Sequence, residues 1–139
     1  MMSHYPTKDQ ILDAPPLASL ASLRAFQDWR AHNGKIYRQG DAAVRVEALA
    51  RLVSRIAKAE DIEITLKPST FYAYPPTERV LLFDAAKPSI ISTLHELGHA
   101  LFGVSELAAC SYSVQLFRAV YPRGYDRLTW QGHLLVKAS

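Results

Sequence analysis

The sequence predicts a small α+β domain, and three observations along the chain support that fold class. Before residue 60, apolar residues recur at helical spacing in two stretches, residues 17–32 and 41–59. Apolar and polar residues then alternate over residues 62–66, which is typical of a half-buried strand. Two more helical stretches follow on either side of Gly103, and the first of them contains the motif H-E-x-x-H. A length of 139 residues suits one such domain.

The N-terminal part of the chain should consist of an arm and two helices. Residues 1–16 are polar and contain three prolines, so we expect a flexible arm, followed by a single domain over residues 17–139. The first helix should end at Asn33-Gly34, because glycine favours helix C-termini. Asp41 should cap the second helix. The apolar stripe of that second helix consists of Val46, Leu49, Val53 and Ile56.

The middle of the chain should form a short twisted sheet. Besides the alternating residues 62–66, a second strand is predicted at residues 70–74, where Pro75 ends it. The apolar run at residues 80–83 predicts a buried strand, whose edge we expect to hold an extended peptide by main-chain pairing. Residues 128–136 fit neither the helical nor the strand period.

The two helices around Gly103 have clear start and stop signals. Pro88 suits the first position of a helix, because a proline there loses no hydrogen bond, and that helix should reach Phe102. Gly103 is placed to end it. Ser105 is a good N-cap for the next helix, which should continue to about Val120.

The motif His95-Glu96-Leu97-Gly98-His99 carries the strongest chemical signal. Two histidines four residues apart lie on one face of a helix, so both imidazoles can reach one metal ion. Neutral imidazole is a good zinc ligand, and Glu96 is placed to take a proton from water beside that ion as a general base. The motif therefore predicts a zinc site with Glu96 as the catalytic residue.

A catalytic zinc site needs a third protein ligand, and Glu106 is the best candidate. It opens the helix that follows the motif helix, and a tight turn at Gly103 can bring it back to His99. An acidic residue in the first turn of a helix also has an ordinary explanation in the helix dipole. The metzincin extension of the motif fails, because Phe102 and Ser105 occupy its glycine and third-histidine positions. Asp126, His133 and Cys110 are poorer candidates for the third ligand.

Peptide hydrolysis also needs a donor for the developing oxyanion. Each downstream candidate is more often a core or surface residue than a catalytic one. The candidates are Tyr112, Tyr121, Tyr125 and His133.

Composition limits the location and the partners. The single cysteine cannot form an internal disulfide, no secretory signal precedes residue 16, and the mean hydropathy is -0.04, so we expect a cytoplasmic protein without a membrane span. The net charge of +3 comes from residues 1–60, which hold nine basic and six acidic residues. That excess is a weak signal for nucleic acid and is more typical of a solvated helix face.

The residues from His95 to Phe102, together with the Glu106 helix, resemble the ImmA/IrrE-type metallopeptidases. In those proteins H-E-x-G-H is followed by a helix of the form E-x-x-A-x-x-F-A-x-x-L. The resemblance is strong over residues 94–117, loose over 41–93, and absent before residue 40. It implies a minimal, zincin-like and gluzincin-like domain with one zinc ion, in which His95, His99 and Glu106 are the ligands and Glu96 is the base.

The resemblance further implies a zinc-dependent peptidase acting on a protein or peptide substrate, such as a regulatory protein in a phage or mobile-element setting. The sequence departs from gluzincins at Cys110, where an Asp or Asn usually supports a zinc-bound histidine; a thiol is a poor acceptor, which affects catalytic efficiency more than zinc binding. The alternative is a zinc-binding interaction module that is weakly active or inactive. Its basic helix, the one predicted at residues 41–59 with Arg51, Arg55 and Lys58 on one stripe, contacts a protein or nucleic acid.

Overall fold

A computed structural model describes residues 5–75 and 77–137, and it has the predicted α+β fold. The helices of the described residues outnumber the strands, and the strands form two separate pairs. In chain order the elements are α1 Lys8–Asp13, α2 Leu20–Gln39, α3 Ala42–Ala59, β1 Thr65–Ser69, β2 Val80–Asp84, α4 Ile90–Phe102, α5 Glu106–Val120, α6 Pro122–Asp126, β3 Leu128–Gln131 and β4 Leu134–Lys137.

The N-terminal segment contains a short helix that the sequence did not predict. Thr7 and the side chain of Gln10 form a reciprocal capping box at the start of α1. Ile11 in this helix is 2% exposed and packs in a small apolar cluster with Cys110 and Val114 of α5. The structure therefore differs from the expected loose arm over Lys8–Asp13, because an apolar contact with a distant helix fixes the segment.

The predicted end of the first helix is wrong. Helix α2 continues through Asn33-Gly34 and ends before Gly40, whose backbone N–H donates to Tyr37 O. Asn33 is buried, and its Oδ1 accepts a hydrogen bond of 2.8 Å from Arg51 Nε on α3. A helix–helix contact thus outweighs the local stop signal.

Helix α3 forms as predicted and supplies much of the main core. The Oδ1 of Asp41 accepts from Val44 N at 3.0 Å, which confirms the N-cap. Its apolar stripe packs against α2 and the motif helix, with Val46 at the half-buried margin. Its buried members are Leu49, Val53 and Ile56, and Leu52 beside the stripe is buried as well.

The sheet differs from the prediction in its details. The alternating burial over residues 62–66 is present, but β1 begins only at Thr65 and pairs in parallel with β2. Residues 70–74 form no strand, and only Ala73 makes an antiparallel bridge to Leu82. Ala73 bonds both main-chain groups of Leu82, at 2.8 and 3.1 Å, so the middle of the expected substrate edge on β2 is occupied.

Helices α4 and α5 begin and end close to the predicted residues. Ser89 caps α4 one residue beyond Pro88, and Ser105 caps α5 as predicted. Gly103 ends α4 with φ of +82°, a conformation that suits glycine. Gly98 lets the two helices approach closely, since a Cβ on it would lie 2.8 Å from Ala109 Cα.

The C-terminal residues fold back as a hairpin that the sequence did not predict. Strands β3 and β4 pair antiparallel across a turn at Gly132-His133, where Gly132 has φ of +63°. Trp130 and Leu135 of the hairpin pack on the same small cluster as Ile11. Among the described residues, no helix has the length and apolar character needed to cross a bilayer.

Candidate metal centre

Helices α4 and α5 bring together the three predicted metal ligands. His95 and His99 lie one turn apart on α4, and Glu106 is the first residue of α5. Glu106 Oε2 is 3.1 Å from His95 Nε2, and Glu106 Oε1 is 2.7 Å from His99 Nε2. One ligand atom from each residue lies within 4.8 Å of the others, and within residues 5–75 and 77–137 no other His, Cys, Asp and Glu residues group in this way.

The second ring nitrogen of each histidine is also held. His99 Nδ1 donates to Gly103 O at 2.8 Å, so the turn that ends α4 also orients this ring. His95 Nδ1 is 3.7 Å from Cys110 Sγ, and the thiol of Cys110 donates to His133 O at 3.8 Å. A carbonyl oxygen can only accept, so the ring of His99 carries a proton on Nδ1.

In its neutral form, the His99 ring with this tautomer presents its Nε2 lone pair to the carboxylate of Glu106 at 2.7 Å. A lone pair and a carboxylate oxygen repel one another at these distances unless a proton or a cation lies between them. Burial lowers the pKa of His95, although the nearby negative charge of Glu106 opposes this shift. The lowered pKa favours the neutral form of the His95 ring. Two imidazoles and one carboxylate are a common donor set for catalytic zinc, so the residues present fit that ion.

Glu96 lies beside this group without belonging to it. Its side chain is 8% exposed, and burial raises its pKa to about 7, with Glu106 adding to the rise and His99 opposing it. A carboxyl group with a pKa near neutral pH suits general-base chemistry.

A cleft with a volume of about 210 Å³ opens beside His95 and Glu96. It lies between α4, α5 and the β3–β4 hairpin, and His133 and Tyr72 also line it. Tyr72 was missed by the sequence reasoning, because residues 70–74 were expected to be an ordinary strand. Its hydroxyl accepts from Ser89 N at 2.7 Å, which ties it to the start of α4.

Of the four candidates for oxyanion stabilisation, only His133 lines this cleft. Tyr112 is fully buried and shares a hydrogen bond of 2.8 Å with Ser22 Oγ. Tyr121 stacks on Phe117, and Tyr125 packs in the small cluster with Ile11. The three tyrosines are therefore packing residues in this structure.

The poorer candidates for the third ligand also lie outside the group of three. Cys110 and His133 line the cleft next to it, whereas Asp126 is exposed at the end of α6.

Comparisons with protein-family models, with curated proteins and with solved structures found no match to this chain. The resemblance to the ImmA/IrrE-type metallopeptidases therefore stays a prediction from residues 94–117.

Proposed function

We propose that this protein is a zinc-dependent peptidase with one zinc ion per chain, held by His95, His99 and Glu106. The observation that carries the proposal is the carboxylate of Glu106, whose two oxygens lie 3.1 Å from His95 Nε2 and 2.7 Å from His99 Nε2. Ligand atoms about 2.0–2.2 Å from a tetrahedral zinc ion stand a little further apart than this, so small side-chain movements would admit the ion.

Bound zinc would polarise the scissile carbonyl and make a nearby water molecule more acidic. Glu96 would take the proton from that water and pass it to the leaving amine. In the chain without the ion, burial raises the pKa of this carboxyl group to about 7, and Glu96 lines the cleft beside His95. His133, which lines the same cleft, is the remaining candidate donor to the oxyanion.

The proposed substrate is a protein or peptide, and the resemblance suggests a regulatory protein in the cytoplasm. An extended segment of it would approach the cleft beside Glu96. Pairing along the middle of β2 is not part of the proposal, because Ala73 occupies the main-chain groups of Leu82.

A zinc-binding interaction module without catalysis is the second candidate. The observation that favours it is the long contact of 3.7 Å between Cys110 Sγ and His95 Nδ1, which orients this ring less firmly than a carboxylate would. In this case the basic stripe of α3, formed by Arg51, Arg55 and Lys58, would contact a protein or a nucleic acid.

Two measurements test the proposal. Elemental analysis should find one zinc ion per chain, either in the purified protein or after reconstitution; a protein that takes up no zinc would overturn both candidates. The variant Glu96→Gln should keep its zinc and lose at least about 10²-fold in peptidase activity, because an amide does not accept a proton at neutral pH. Discrete cleavage of candidate regulatory proteins by the wild type is the activity to follow.

The outcomes of the Glu96→Gln experiment separate the candidates. Equal cleavage by both proteins would assign the base to another residue. Loss of zinc from the variant would make Glu96 a ligand or a structural support. Full zinc occupancy without cleavage of any substrate by the wild type would favour the interaction module.

A further inference from the structure

The N-terminal segment, residues 5–18, is held against α5 at two points. At its C-terminal end, Gln115 Oε1 accepts from Leu17 N at 2.8 Å, and Gln115 Nε2 donates to Pro15 O at 3.0 Å. In its middle, Ile11 is buried in the small apolar cluster that includes two residues of α5. These contacts fix the path of the segment, so its first residue has a defined place in the fold.

The start of this segment reaches the residues of the cleft beside the metal group. The ring of Tyr5 stacks on the ring of His133, with 4.2 Å between the ring centroids and 11° between the ring planes. His133 lines the cleft together with His95 and Glu96. Pro6, which is buried and whose ring restricts its φ angle, connects Tyr5 to the start of α1. The stack therefore joins the first described residue to the C-terminal hairpin.

The ring of His133 has little other support. His133 lies in the turn between β3 and β4, and its main chain is held because the thiol of Cys110 donates to His133 O at 3.8 Å. Among residues 5–75 and 77–137, neither ring nitrogen of His133 is hydrogen-bonded, and Tyr5 is the one aromatic ring that stacks on it. Without this contact the ring would exchange among several rotamers. A stacked ring covers one face of an imidazole and leaves the nitrogen atoms at its edge free to donate.

Tyr5 supports His133 without filling the cleft. Its side chain is 59% exposed, and among the described residues it is not one of those that line the cleft. The space beside Glu96 therefore stays open while the stack is in place. This arrangement suits a residue that orients a neighbour and not one that blocks the entry of a substrate.

We propose that Tyr5 is a positioning residue of the peptidase, which holds the imidazole of His133 by stacking so that a ring N–H can donate to the oxyanion. The inference rests on the proposed function, because that proposal makes His133 the candidate donor. It gives the N-terminal segment, which the sequence predicts as a flexible arm, a role in the active site.

The contact between the two rings is tested without any activity, by NMR of the histidine ring protons in the purified full chain. A stacked aromatic ring moves the proton signals of its partner upfield, and His133→Ala identifies which signals belong to His133. We expect these signals to move downfield in Tyr5→Ala and to stay in place in Tyr5→Phe, which keeps the ring. Leu20→Ala is the control, since Leu20 is also 59% exposed and lies at the start of α2. Signals that do not move in Tyr5→Ala would overturn the proposal.

The kinetic test uses the same variants in the zinc-loaded full chain. Tyr5→Ala should lower kcat by about 3- to 10-fold, the range that a stacked aromatic pair supplies. KM should stay within about twofold of the wild type, because Tyr5 does not line the cleft. Tyr5→Phe should retain the wild-type kcat, since the stack needs the ring and not the hydroxyl. A loss of the same size in Tyr5→Phe would contradict a role through stacking.

A double-mutant cycle shows whether Tyr5 acts through His133. His133→Ala should lower kcat at least as much as Tyr5→Ala, and adding Tyr5→Ala to it should cause no further loss. A further loss of the full size would assign the effect to folding, and a rise in the activity of Tyr5→Ala would make the segment a restraint on the cleft; either result overturns the proposal. An active wild type with an unchanged Tyr5→Ala would overturn this role alone. A zinc-loaded wild type that cleaves nothing would overturn the proposed function and this role with it.

Discussion

The metal group and the cleft beside it are built in different ways. The three proposed ligands lie within twelve residues of one another, on α4 and at the start of α5. The outer wall of the cleft comes from the β3–β4 hairpin, and the hairpin packs on a cluster that includes Ile11 near the other end of the chain.

The geometry of the three proposed ligands and the shape of the cleft therefore have separate physical causes. The metal group depends on helix periodicity, one tight turn and the close approach of two helices at Gly98. The cleft depends on apolar contacts between both ends of the chain. Substitutions near residues 95–106 should therefore change mainly the affinity for zinc. Substitutions in the small apolar cluster around Ile11 should change mainly the structure of the cleft.

Removal of a ligand should give the largest effect. His99→Ala should lower zinc affinity by at least about 10³-fold, because a three-ligand site loses one of its protein bonds and Glu106 loses its partner at 2.7 Å. Competition against a chromophoric chelator measures the affinity. His32→Ala is the control, since His32 is exposed on α2. Affinities that match between the two variants would show that His99 binds no metal.

Loss of a contact in the small cluster should affect stability and the hairpin, and not the metal. Ile11→Ala should cost about 2–3 kcal/mol, because a side chain that is 2% exposed leaves a cavity. Amide hydrogen exchange should quicken in β3 and β4, while zinc affinity stays within about threefold of the wild type. The control is Leu12→Ala, at a neighbouring position that is 38% exposed. This variant should change neither the stability nor the hydrogen exchange of β3 and β4. A large loss of zinc affinity in Ile11→Ala would remove the distinction between the two regions.

The close approach of α4 and α5 should tolerate no side chain at Gly98. A Cβ there would meet Ala109 backbone atoms, at 2.8 Å from Cα and 3.1 Å from O, so Gly98→Ala should cost about 1–2 kcal/mol. It should also weaken zinc binding, because Glu106 moves with α5. In the control Gly34→Ala, the new Cβ meets mainly flexible side-chain atoms of Arg30 and Tyr121, so stability should stay equal or rise slightly. Thermal unfolding and zinc competition on both variants decide this prediction.

The same division explains which features the sequence could predict. The helix caps at Asp41 and Ser105 and the helix end at Gly103 depend on hydrogen bonds between neighbouring residues. The local sequence was therefore sufficient to predict these helix ends. The extension of α2 past Asn33-Gly34 depends on Arg51, which is 18 residues away. Thr7 and Gln10 give a local capping-box signal for the helix around Ile11 that the sequence analysis missed. The packing of Ile11 and of the hairpin around His133 depends on contacts between the two ends of the chain, for which a single sequence contains no local signal.

The smallest effect should come from Cys110, which joins the two regions. Its sulfur lies 3.7 Å from His95 Nδ1, and its thiol donates to His133 O at 3.8 Å. In Cys110→Asn, an amide oxygen would accept from His95 more strongly, and the amide N–H could still reach the hairpin carbonyl. We expect zinc affinity to rise up to about 10-fold, the lower end of the range for groups that orient a metal-bound histidine.

Cys110→Ala is the opposite change, and it should lower zinc affinity by a few fold because His95 Nδ1 then has no acceptor on α5. Thermal unfolding of the metal-free proteins separates the orientation of the ring from packing, since both variants replace a side chain that is almost fully buried. Zinc affinities that follow the order Asn, Cys, Ala, without a matching order of stabilities, would show that residue 110 acts through His95. An affinity order that simply follows stability would assign Cys110 to packing alone.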